Sequence, residues 1–420
     1  MSNPKNHQHT NPSEFNTDHP PVPLGSSSHG IRESGQALIV LLVLIITVVI
    51  VLVFDFARPT ALAVEQDKQT AAALAQAKDA LIGWSVQRTP SGALPNARPG
   101  ELPCPDSNND GFEDGTCVAG ALGRVPWKTL GIPEPKDGAG ETLWYTLAGP
   151  FRIWAVNANQ IDNDTKGDIT VYSGSSSTVM TSEAVAVIFS PGAVLGTQNR
   201  DPSTTALCPT TGTTIARNLC AANYLDTTGG ANNATTNGPY ISAQPSNAFD
   251  DRLLVITTDS LITTVEKRAA REMLTLLQRY KALSGCNCYP WAAGMDDPFD
   301  DDSVDGRTRG GVPIENALPD NWDDLGITVP SWMIGSNIWG KKFYYAVAHI
   351  DTETHTAGTL TVDGVAGKRL VLITTGPAGA SRPSTNVSDY LDDAENSNND
   401  NTFQTPSSTA YARDRIYTIP

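Results

Sequence analysis

The chain has 420 residues, more than one ordinary domain holds, and a formal net charge of −16. Such acidity argues against a reader of phosphate backbones, which carries basic patches, and suits an exported surface or one that meets cations. Hydrophobic residues make up 40% of the chain, enough for real cores.

Residues 1–35 read as a disordered cytoplasmic leader that holds His7, His9, His19 and His29. Then comes "SGQALIVLLVLIITVVIVLVF", Ser34 to Phe54. From Ala37 to Phe54 there is no charge and one polar residue, Thr47. At about 1.5 Å per residue the run just crosses a hydrocarbon core of ~30 Å, which predicts a membrane-spanning helix touching lipid over 37–54. A secretory signal is usually shorter and ends at a small-residue cleavage site. Here "DFARPTALAVEQDKQ" follows and reads as more helix, kinked at Pro59. The helical region is therefore 36–93. Charges flanking the apolar run are mixed and orient it poorly. The acidic, cysteine-bearing body places the N-terminus in the cytoplasm and the C-terminal part in the periplasm.

Behind it, "QTAAALAQAKDALIGWSVQ" sets Leu74, Ala77, Leu81 and Trp84 on one helical stripe. The body reads as two units, 94–259 and 260–420. The second opens with a helix over 260–284, "DSLITTVEKRAAREMLTLLQRYKALSG", capped by Asp259 or Ser260 and ended by Gly285. Later segments recur in order. "TLGI" (129–132) answers "DLGI" (324–327), and "GETLWYTLA" (140–148) answers "GKKFYYAVA" (340–348). "AVAVIFSPGA" (184–193) answers "RLVLITTGPA" (369–378), and "NYLD" (223–226) answers "DYLD" (389–392). "DRLLVIT" (251–257) answers "DRIYTI" (414–419). Each unit is read as a helix, a loop and about four antiparallel strands.

All six cysteines follow the apolar run. Cys104 with Cys117, and Cys208 with Cys220, read as local disulfides in an oxidising compartment; the alternative is free or metal-binding thiols. The pairing of Cys286 with Cys288 stays open, because their bond would close a very tight ring.

Candidate ligands sit in acidic loops. "DSNNDGFEDG" puts Asp106, Asn108, Asp110 and Asp114 at calcium-loop spacing with Gly111 at the turn. The closing Glu is missing, and the alternative is an Asx-rich turn stapled by Cys104 and Cys117. "DDPFDDDSVDG" contains Asp300, Asp302 and Asp305, and "YLDDAENSNNDN" contains Asp392 and Asp393. Either could hold calcium or be an exposed acidic loop. The pairs Asp251–Arg252 and Asp414–Arg415 read as ion pairs that orient a final strand. No GxSxG and no phosphate-binding Gly-rich loop with a Lys is present, and His349 and His355 are the only histidines in the body. The chain is read as a non-enzyme.

"RESGQALIV", with Gly35 before Gln36, resembles the processing signal of type IV pilins and type II secretion pseudopilins. The run "LPCPDSNNDG…LGRVPWKTLGI…DGAGETLWYTL" is similar to large pilin-like proteins. The resemblance implies cleavage after Gly35 by a prepilin peptidase, methylation at Gln36, and an assembly helix that exchanges membrane lipid for neighbouring helices. It implies as partners other pilins or pseudopilins and an inner-membrane assembly platform, with no nucleic acid. The fifth mature residue is usually Glu and here is Val40, which points to a tip or initiating subunit; the other reading is a single-pass anchored binding or adhesion module. The expected fold class is α+β: a long membrane-spanning helix, then two tandem pilin-like helix-plus-sheet units.

Overall fold

The structure, a computed structural model, describes residues 33–90, 97–152, 161–294, 302–334, 339–348, 358–376, 386–406 and 414–419. The chain divides into Met1–Leu62 and one compact unit over Ala63–Pro420.

Helix α1 runs Glu33–Gln87, 55 residues, without a break at Pro59. In the first unit every residue from Leu38 to Val49 is exposed. Among the described residues no helix is long and apolar enough to cross a membrane. The membrane-spanning part of the expected fold is thus overturned.

In the second unit, α1 turns amphipathic. Ala73, Leu74, Ala77 and Leu81 are buried, while Trp84 is half-buried under Arg88, whose guanidinium lies 4.5 Å from its ring. The stripe covers a sheet built from β1 (Leu122–Arg124), β2 (Trp144–Leu147), β3 (Ile169–Ser173), β4 (Ser175–Ser190), β5 (Tyr240–Ser242) and β6 (Arg252–Thr257). Its path is β1-β2-β4-β3-β5, with β6 also on β4. β3–β5 is parallel and the other pairs are antiparallel.

Helix α2, Thr258–Leu283, follows β6 with no linker. Thr257 ends the strand and caps the helix, its hydroxyl accepting from Ser260 N at 3.3 Å. A second sheet follows: β7 (Arg309–Gly311), β8 (Phe343–Val347), β9 (Leu370–Thr374) and β10 (Arg415–Ile419), all antiparallel in that order. Strand for strand this repeats β1-β2-β4-β6. Tyr145 faces Ile188, and Tyr345 faces Leu372. Each tyrosine hydroxyl donates to a proline carbonyl, Pro103 at 3.2 Å and Pro290 at 3.0 Å.

The two sheets do not stand apart as tandem units. Leu261, Val265, Ala269, Met273 and Leu277 of α2 belong to one core with Val187 and Phe189 of the first sheet and Phe343, Tyr345 and Leu372 of the second. The alternate residues Tyr344, Ala346, Val371 and Ile373 point the other way, into a separate core with Leu360, Val362, Leu391 and Phe403. This two-residue period explains why β8 and β9 are apolar throughout. A clasp joins the halves: Asn163 donates to the Gly376 carbonyl at 2.7 Å, and Lys342 bridges Asp162 and Asp164.

The register moves one sequence match. Arg252 lies opposite Ser190 and Arg415 opposite Thr374, so Gly192 corresponds to Gly376. The pairing of "AVAVIFSPGA" with "RLVLITTGPA" slips by one residue, because an apolar run carries no mark of register.

Candidate metal centre

The Asp–Arg pairs do not bond within themselves. Each arginine reaches back to a helix instead. Arg252 pairs with Asp67 of α1 at 2.6 Å, and Arg415 with the buried Glu266 of α2 at 2.7 Å. The aspartates are thereby left to organise loops. Asp251 accepts from Asp226 N at 2.8 Å and from Asn233 Nδ2 at 2.9 Å. Asn233 in turn brackets Ile241, accepting from its N–H at 2.8 Å and donating to its carbonyl at 3.1 Å.

The second half repeats this clasp. Asp414 accepts from Asp392 N at 2.9 Å, Asp393 N at 3.2 Å and Asn396 Nδ2 at 3.1 Å. Asn396 brackets Gln404 in the same way. Both Asp414 oxygens are used.

In the first half they are not. The Asp251 partners both bond Oδ2, and Oδ1 is buried with no hydrogen-bond partner among the described residues. Asp250 Oδ1 is in the same condition. Asp226, Asp250 and Asp251 each offer a carboxylate oxygen within 4.8 Å of the others. Asp226 is fixed by Gln198 Nε2 at 2.8 Å and by Asp250 N at 2.9 Å. Ala193 N donates to Asp250 Oδ2 at 2.8 Å. Gly192 makes this approach possible: its φ is +62°, and a Cβ there would stand 2.5 Å from Asp250 Cγ. Arg200 braces the same strand end, donating to the carbonyls of Gly192 at 3.0 Å and Ala193 at 3.2 Å. Disulfide Cys208–Cys220 staples the segment leading to Asp226.

Burial raises all three carboxyls. Asp250 is pushed up to about 6, by desolvation first and then by Asp226, against the Ala193 amide. Asp251 is raised well above the ordinary range and Asp226 is raised, both chiefly by desolvation. Crowded, partly desolvated carboxylates with spare lone pairs are what a hard, oxygen-seeking divalent cation such as calcium neutralises. The residues present fit such an ion. Asp226, Asp250 and Asp251 would each supply one carboxylate oxygen, and Asp250 Oδ1 and Asp251 Oδ1 have no hydrogen-bond partner among the described residues.

The sequence-selected ligands lie elsewhere. Asp106 is buried and accepts from Gly111 N at 2.7 Å and Asp110 N at 3.2 Å. Asn108 donates to Asp110 at 3.1 Å, and Asp110 caps Phe112 N at 2.8 Å. Lys128 donates to the Asp110 carbonyl, and Asp114 is half-buried. That loop forms Asx turns closed by Cys104–Cys117. Asp302 is exposed and takes Asn316 Nδ2 at 2.6 Å, and Asp305 is exposed. Asp393 caps Glu395 N at 2.9 Å, and Asp392 is exposed. Asp300, His349 and His355 lie outside the described residues. Sequence reasoning missed Asp226, Asp250 and Asp251 as a set. The signal was the second aspartate, Asp250, standing where the other half has Arg413.

No family model, curated protein or solved structure matches the chain.

Proposed function

We propose that the protein is a non-catalytic assembly subunit, a minor pilin or pseudopilin type at the tip or start of a filament. The observation that carries this reading is the exposed apolar run Leu38–Val49 on a helix whose later turns anchor the head. Such a surface is unstable in water and gains by packing against other helices, at about 1.5–3 kcal/mol for each Leu, Ile or Val fully buried. Other pilin-like subunits are the partners, and prepilin peptidase would cut between Gly35 and Gln36. Val40 leaves the run without an acid that could pair with a neighbour's N-terminal amine. The disulfides support a head held outside the cytoplasm, in the periplasm or on the cell surface.

The test is mass spectrometry of the protein from its own cells, together with cross-linking. A chain beginning at Gln36 and cross-linked to pilin-like subunits is expected, and the double variant Leu42→Asp/Ile45→Asp should lose the cross-links. An intact leader on a chain with no subunit cross-links would sink the reading.

We further propose that Asp226, Asp250 and Asp251 hold calcium or a similar hard cation that stiffens the head. The buried, unpartnered Oδ1 atoms support this. Calorimetric titration of the chelated protein with calcium should show binding, and Asp250→Asn should abolish it. Equal binding by that variant would overturn the site.

A further inference from the structure

The turn leaving α2 holds the disulfide Cys286–Cys288, whose cysteines are 2 positions apart. A cross-link stabilises a fold by restricting the unfolded chain, and the restriction grows with loop length. Cys104–Cys117 and Cys208–Cys220 span 13 and 12 positions. The Cys286–Cys288 bond restricts far less.

The turn is also held without it. The Ser284 hydroxyl lies 3.1 Å from the Cys288 carbonyl and accepts from Cys288 N at 3.3 Å. Gly285 N donates to Asp320 at 3.0 Å. Beyond the pair, Tyr289 and Pro290 are buried, and the Tyr345 hydroxyl holds the Pro290 carbonyl. Trp291 N donates to Leu318 at 3.0 Å. Access separates this bond from the others as well. Cys286 is exposed, whereas Cys104, Cys208, Cys220 and Cys288 are buried and Cys117 is half-buried. Asn287 between the pair sits at φ 51°, in the left-handed region that Asn tolerates, and its N–H donates to the Ser284 carbonyl at 3.1 Å.

We propose that Cys286–Cys288 is a thiol–disulfide exchange site that accepts electrons from a dithiol. A donor thiolate attacks the exposed Cys286 Sγ. The Cys286–Cys288 bond breaks, its electron pair leaves on Cys288 Sγ, and that sulfur takes up a proton. A mixed disulfide now joins the donor to Cys286. The donor's second thiolate attacks its own sulfur in that bond and releases Cys286, which is protonated in turn. The donor ends as a disulfide and the pair as two thiols, so the electrons balance. Buried Cys288, pinned by Ser284, stays beside Cys286, so an oxidised donor can close the bond again.

The test uses the full chain in graded dithiothreitol, quenched with iodoacetamide and mapped by peptide mass. Cys286 and Cys288 should become alkylated at a reductant concentration at least about tenfold below that needed for the other four, with an unchanged circular dichroism spectrum. Opening of Cys104–Cys117 or Cys208–Cys220 at the same or lower concentration would overturn the proposal. So would loss of structure coincident with opening of Cys286–Cys288. As a second arm, Cys288→Ser should take up glutathione from its disulfide about tenfold faster than Cys286→Ser, because only the former leaves the exposed sulfur free. Equal rates would count against Cys286 as the point of attack.

Discussion

The two sheets share a strand path and an aspartate–asparagine clasp, yet they dispose of charge differently. In the second half the charges of Asp414, Glu266 and Arg415 are answered from within the chain. Asp414 spends both oxygens, and Glu266, on the buried face of α2, holds Arg415 and the Thr374 hydroxyl. In the first half the corresponding arginine pairs with Asp67 at the surface, and three carboxyls, two buried and one half-buried, are left crowded together. A duplicated frame thus supports one copy whose clasp carboxylate is fully hydrogen-bonded and one that leaves carboxylate oxygens unpaired.

The sharpest contrast lies in the two arginines. Arg415→Met strands Glu266 as a buried charge, and a loss of about 3 kcal/mol is expected by urea denaturation. If that variant unfolds no more easily than the parent, the second half is not balanced as described.

The clasp aspartates come next. Asp414→Asn puts a donor where an acceptor served three groups, and should cost about 1–2 kcal/mol. Asp251→Asn relieves repulsion beside Asp226 and Asp250, and should cost less than Asp414→Asn in chelated buffer. The same urea series measures both, and a reversed order would erase the distinction between the copies.

The pH response follows from Asp250, raised from 3.8 to about 6. Protonation favours the fold, so this contribution is fully present below the ordinary carboxyl value and is lost as pH rises through about 6. Calorimetry in chelator should therefore show Tm falling between pH 4 and pH 7 in the parent more than in Asp250→Asn. Calcium should restore Tm at the upper end and do nothing at the lower. A calcium effect of equal size at both ends would break the assignment.

The smallest change is expected from Arg252→Met. The Arg252 and Asp67 side chains are 41% and 56% exposed, so the pair is worth under about 1 kcal/mol.

Much of the strand pattern was readable because β2, the end of β4 (184–189), β8 and β9 are apolar runs between turn signals, and period and turns are local properties. The stripe Leu74, Ala77 and Leu81 was readable for the same reason. What α2 does was not. Its two buried flanks, Leu261 and Val265 among them, look in sequence like one amphipathic face. Only packing shows that it walls both sheets. The membrane span failed for another reason: an apolar run says how much surface needs cover, not what covers it. The metal-ligand readings favoured dense acidic loops, but density in sequence left the described carboxylates of those loops near water or near backbone amides. Asp226 and Asp251 lie 25 positions apart; Asn233, in the loop between them, bonds Asp251, while Gly192 from a separate segment lets its chain approach Asp250.

The absence of any linker between β6 and α2 has a mechanical consequence. Thr257 is at once the last residue of a strand and the cap of a helix, so no loose segment can take up a bend there. A pull on the first sheet passes directly along α2 to Glu266, Arg415 and the second sheet. The head should carry load as one stiff beam, with Asn163–Gly376 as a second strut, rather than as two beads on a string.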